Sequence, residues 1–116
     1  MAKFTIYHNP RCSKSRQTLS ILEENGIQPE VVLYLDTPPD RSGLKDLLKK
    51  LGKTPRELLR KSEESYQAMR LADESLGDDQ LIDAMLKEPK LIERPIVVKG
   101  EQAVLGRPPE NVLGLI

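Results

Sequence analysis

The chain has 116 residues, with 18 basic and 18 acidic side chains and a single histidine, so its formal charge is zero. That length suits one compact domain and is short for two. Balanced charge, 3% aromatic residues and no Trp argue against a nucleic-acid binder, which needs basic surface or stacking platforms. No apolar run approaches the ~20 residues of a membrane span, and Met1-Ala2-Lys3-Phe4 does not read as a secretory signal. One cysteine excludes an internal disulfide and points to a reducing, cytoplasmic location.

The alternating, β-forming residues Phe4 to His8 predict a strand. Ser13 to Glu24 or Asn25 predicts a helix, with Leu19 and Leu22 on its buried stripe and Asn25-Gly26 as its end signal. Val31-Val32-Leu33-Tyr34-Leu35 is an apolar run suited to a buried strand. This βαβ start favours a right-handed crossover and parallel pairing. After the loop Asp36-Thr37-Pro38-Pro39, Leu44, Leu47, Leu48 and Leu51 repeat with helical spacing up to Gly52. Thr54-Pro55-Arg56-Glu57 carries the capping-box pattern of a helix start, predicting a short helix with Leu58, Leu59 and Arg60. A further short helix is expected around Tyr66 to Leu71. Asp78 reads as the N-cap of a helix through Leu81, Ile82, Met85 and Leu86 that Pro89 closes. Ile96-Val97-Val98 and Ala103 to Leu105 flank the turn Lys99-Gly100-Glu101-Gln102, and a last helix starts at Pro109 or Glu110. The order predicts one α/β domain over residues 1–116. It is thioredoxin-like, or glutaredoxin-like, with a mixed β-sheet and a helical insertion at about 40–90.

Cys12 follows the first strand and opens the first helix. Unpaired N–H groups and the positive end of the helix dipole favour a thiolate there. A lone cysteine is often an inert buried residue, but Arg11, Ser13, Lys14, Ser15 and Arg16 make this surrounding polar and cationic. The same geometry holds an oxyanion. Dithiol chemistry is closed, because Cys12-Ser13-Lys14-Ser15 has serine in the second position of a C-x-x-C motif. The cysteine-phosphatase spacing fails too, since Thr18 stands where its arginine belongs. One Cys and one His cannot close a structural zinc site. A two-electron reduction therefore needs an external thiol, and glutathione is the natural candidate. His8 reads either as a satisfied loop-edge histidine or as a hydrogen bond or partial positive charge near the sulfur. Ser15 reads either as a donor to the thiolate or as a local cap. Arg60, Arg94 and Arg107 border apolar turns or strands, and guanidinium groups grip tetrahedral oxyanions well.

Tyr7-His8-Asn9-Pro10-Arg11-Cys12-Ser13-Lys14-Ser15-Arg16, Leu58-Leu59-Arg60-Lys61, Glu93-Arg94-Pro95-Ile96-Val97-Val98 and Gly106-Arg107-Pro108 together resemble the glutathione/glutaredoxin-coupled arsenate reductase family, over essentially the whole chain. The resemblance implies a thioredoxin-like domain, Cys12 as the nucleophile with His8 near it, and Arg60, Arg94 and Arg107 as oxyanion ligands. It also implies a cis Arg94-Pro95 peptide. The implied reaction starts with attack of the Cys12 thiolate on arsenate. A Cys12–arsenic–glutathione adduct follows, and glutathione and glutaredoxin complete the reduction to arsenite. No bound cofactor and no metal are expected, and the protein is expected to act as a monomer. Plasmid-borne members carry Gly-Thr-Ser where this chain has Ser13-Lys14-Ser15, and they extend beyond the position of Ile116. In both respects the chain is similar to the short chromosomal branch. Two other readings stay open: a glutathione-dependent thiol reductase acting on another substrate, and a redox regulator that binds RNA polymerase. The related polymerase-binding branch senses oxidation through a C-x-x-C pair, which this chain lacks.

Overall fold

A computed structural model describes residues 3–116; the signal-peptide reading of Met1 and Ala2 lies outside these. The chain divides into two compact units, one reaching Thr37 and resuming at Arg94–Ile116, the other Pro38–Glu93.

In the first unit, β1 (Phe4–His8), α1 (Ser13–Glu24), β2 (Glu30–Leu33), β3 (Ile96–Lys99) and β4 (Gln102–Leu105) precede a 3₁₀ helix, Pro109–Leu115. The sheet order is β2-β1-β3-β4. β1 runs parallel to β2 and antiparallel to β3, and β3 pairs antiparallel with β4. This is the mixed, thioredoxin-like arrangement expected from the sequence. Ile6, Leu22, Val97, Val112 and Leu115 form the core where α1 and the 3₁₀ helix meet the sheet. Leu19 is only partly buried beside it. The final segment is wound as a 3₁₀ helix throughout.

One strand differs from expectation. β2 is shorter than the apolar run and forms a sheet edge, with Val31 43% and Leu33 39% exposed. An apolar run satisfies a central or an edge strand equally, and only the pairing decides which.

The second unit contains α2 (Arg41–Leu51), α3 (Pro55–Leu58), α4 (Glu64–Ala68), α5 (Asp78–Lys87) and a 3₁₀ turn, Pro89–Leu91. Asp40 caps α2 by accepting the Gly43 N–H at 2.7 Å, and Gly52 ends it with φ +67°. The Thr54–Glu57 capping box forms as read. The helix it opens stops at Leu58, however, because Leu59 leaves for an antiparallel bridge with Ile92. Arg60 therefore sits past the bridge and not on a helix. α4 overlaps the expected Tyr66 to Leu71 helix but begins at Glu64 and ends at Ala68. The cap of α5 is Gly77, whose N–H donates to Gln80 Oε1 at 2.8 Å, so Asp78 is the first helical residue. Among the described residues no helix is long and apolar enough to cross a membrane.

Candidate thiol site

Cys12 is the N-cap residue of α1, with extended backbone angles, and its side chain is partly exposed. Its N–H donates to the Asn9 carbonyl at 3.0 Å, closing a tight turn, and its carbonyl accepts the Arg16 N–H at 3.0 Å. The sulfur is thus left facing the first free N–H groups of the helix. Burial pushes the thiol's pKa up. The Ser15 N–H, the Arg94 guanidinium and the Lys14 N–H pull it down by more, so it falls below its ordinary value. This is the electropositive, accessible setting of a reactive thiolate.

The Ser15 hydroxyl bonds within the turn. It accepts the Asn9 N–H at 3.0 Å and lies 2.6 Å from His8 Nδ1. Ser15's backbone N–H favours the thiolate. Hydroxyl and Nδ1 thus form one buried side-chain hydrogen bond across the turn. His8 is buried at 6% exposure. Burial and the nearby Arg16 charge lower its pKa and disfavour its charged form, and its bond to Ser15 anchors the turn. Asn9, which the sequence reading did not single out, is the residue that ties the turn together. Its Oδ1 accepts the Arg11 N–H at 3.0 Å, its carbonyl holds Cys12, and it is buried. The available signal was an Asn two residues before a loop residue, the pattern of an Asx-turn.

The β3–β4 hairpin supplies the arginines. Its register pairs Ile96 with Leu105. One step further, the Gly106 N–H donates to the Pro95 carbonyl at 2.9 Å. One step beyond that, Arg94 stands opposite Arg107, whose Nη1 donates to the Arg94 carbonyl at 3.1 Å. The same Nη1 lies 3.9 Å from Cys12 Sγ as a donor. Arg94 is itself buried, at 9% exposure, and donates to Cys12. The Arg94-Pro95 peptide is cis as expected, and Arg107-Pro108 is cis as well, which was not anticipated. The two Arg-Pro dipeptides, far apart in sequence, are thus brought to one thiol by a single hairpin.

Arg60 belongs to the helical unit. There its Nη1 donates to Glu93 Oε1 at 2.9 Å and its Nε lies 3.3 Å from Glu63 Oε1. Among the described residues no group of three His, Cys, Asp or Glu side chains could hold a metal ion. A thiolate flanked by two guanidinium groups and helix N–H donors can bind a tetrahedral oxyanion and attack its central atom.

The sequence profile of the ArsC family matches residues 7–115. The uncharacterized protein YfgD of Escherichia coli K12 is 59% identical over 112 residues, covering 96% of this chain and 94% of that one. An arsenate reductase of Neisseria meningitidis is 50% identical over 113 residues, covering 97% of both chains. An Escherichia coli arsenate reductase is 49% identical over the whole chain and 82% of its own length. Among solved structures, an arsenate reductase from Vibrio cholerae superposes with a TM-score of 0.96 at 51% identity, covering 99% of this chain and 98% of the other.

Proposed function

The chain belongs to the ArsC family, and we propose that it reduces arsenate to arsenite at Cys12 with glutathione and glutaredoxin as thiol partners in a reducing cytoplasm. The observation that carries this reading is the lowered, partly exposed Cys12 thiol with Arg94 and Arg107 upon it. Arsenate docks on the guanidinium groups, which neutralise its charge and the charge developing on its oxygens. The Cys12 sulfur forms a bond to arsenic while one oxygen leaves as water. The glutathione sulfur then displaces a second oxygen, also as water. A glutaredoxin thiolate attacks the glutathione sulfur, forming a disulfide. The sulfur–arsenic bond breaks and its electron pair stays on arsenic, which passes from the pentavalent to the trivalent state. Water cleaves the remaining bond and releases arsenite with the free Cys12 thiol. An external thiol is needed because the chain has only one of its own.

Arg60 is proposed as a third oxyanion ligand on the family resemblance alone, since two carboxylates of its own unit already hold its guanidinium. The test is arsenite formation from arsenate with glutathione and glutaredoxin, run beside reduction of a glutathionylated peptide. Arsenate turnover that disappears in Cys12→Ser supports the proposal. Turnover of the peptide alone would transfer the site to a general thiol reductase, and substantial arsenate turnover without Cys12 would end the reading.

A further inference from the structure

Beside the thiol turn lies a groove of about 310 Å³, walled by Pro10, Leu33 and Leu35 and rimmed by Arg11 and Asp36. It is at the small end of ligand-pocket volumes. Its apolar wall runs from the exposed end of β2, where Leu33 is 39% exposed, into the following turn, where Leu35 is 37% exposed. Its other side is the turn itself. Asn9, whose carbonyl holds the Cys12 N–H, lines it, and Arg11 immediately precedes Cys12. Arg11 and Asp36 are both exposed, and among the described residues neither charged group has an ion-pair partner. The groove thus presents one cation, one anion and an apolar wall, within reach of the nucleophile's own loop.

Arsenate fits this groove poorly, because a purely anionic ligand would meet Asp36. A purely apolar segment would leave both charges unused. The chemistry that uses all of it is an amino-acid head group, with an α-carboxylate for Arg11 and an α-ammonium for Asp36, joined to a less polar chain that runs over Leu33 and Leu35. Building on the arsenate reductase reading, we propose that this groove is the subsite for the γ-glutamyl end of glutathione, which delivers the tripeptide's thiol to arsenic held at Cys12. Arg11 and Asp36 act here as binding residues for the thiol donor and not for the oxyanion.

The test is an amide NMR titration of the full chain with S-methylglutathione, which binds but cannot react, and with its analogue lacking the α-amino group. The amides of Asn9, Arg11, Leu33 and Asp36 should shift. An exposed charge contact contributes up to about 1 kcal/mol, so loss of the amino group should weaken binding about three- to fivefold. Asp36→Asn should weaken S-methylglutathione by a similar factor and the des-amino analogue hardly at all, because the two changes remove the same contact. Arg11→Gln should weaken both ligands. Shifts confined to other surfaces, or losses from Asp36→Asn that are equal for the two ligands, would overturn the subsite. So would groove shifts produced only by reduced glutaredoxin, which would make this a protein-docking face. The titration needs no arsenate. If the groove binds the tripeptide while the chain turns over no arsenate, the functional reading falls and the subsite stands; arsenate turnover with shifts elsewhere sinks the subsite alone.

Discussion

The thiolate form of Cys12 is favoured by groups of different kinds, backbone N–H donors of α1 and the Arg94 guanidinium, working against burial. Its alkylation by iodoacetamide should therefore report an apparent pKa below the ~8.5 of a free thiol. Arg94→Ala should move that value upward, because one donor and one positive charge are lost; an unchanged profile would remove Arg94 from the sulfur's surroundings. Arg107 donates from one nitrogen toward both Cys12 and the Arg94 carbonyl. Arg107→Ala should lower kcat/KM for arsenate by roughly 10²-fold, the usual scale for losing one oxyanion-stabilising donor. A steady-state assay decides it, and full activity in this variant would exclude Arg107 from the pocket. The chemistry of Cys12 was readable from its neighbours, since a strand, a turn and a helix start are all local patterns. The role of His8 was not. Its partner is the buried Ser15 hydroxyl, and only the folded turn brings the two side chains together.

At the scale of elements, the site depends on how closely the hairpin approaches α1. A Cβ on Gly106 would stand 2.5 Å from Thr18 Oγ1 and 2.8 Å from Pro95 Cγ. Thr18 cannot swing aside freely, because it is fully buried and its hydroxyl donates to the Lys14 carbonyl at 2.8 Å. Gly106→Ala should thus destabilise the fold by about 1–3 kcal/mol, as overpacked sites do, measured by urea unfolding. It should also reduce arsenate turnover by displacing Arg107; a variant as stable and active as the parent would show that the packing there yields. Strands, the amphipathic α2 and the α3 capping box could be read from periodicity and cap residues. Three features could not. The edge position of β2 is a matter of pairing, the early end of α3 is imposed by Ile92 from a distant segment, and α4 has little apolar period to betray it. The meeting of Arg94 and Arg107 was partly encoded, since a two-residue turn at Gly100-Glu101 fixes the register that sets them opposite each other.

For the whole molecule, two depressed pKa values tilt stability in the same direction. His8, buried, takes up its proton less readily than in the unfolded chain. As pH falls through its ordinary value of 6.5, the unfolded state binds the proton first and stability declines. The Cys12 thiolate adds stability that is fully present above the thiol's ordinary pKa and is lost as pH falls through its lowered value. The urea midpoint should therefore drop between pH 7.5 and 5.5, and drop less in His8→Asn, whose amide can still face Ser15. Equal drops in the two proteins would show that His8 titrates as if exposed. The Leu59–Ile92 bridge has a kinetic counterpart. The Arg60 N–H donates to the Leu91 carbonyl at 2.7 Å and the Glu93 N–H to the Leu58 carbonyl at 2.9 Å, on either side of that bridge. Two chain segments of a helical unit are laced together there, so the backbone carrying Arg60 and the backbone carrying its carboxylate partner open as one cooperative piece. In deuterium exchange the two amides should share a single protection factor, and denaturant should lower both in step.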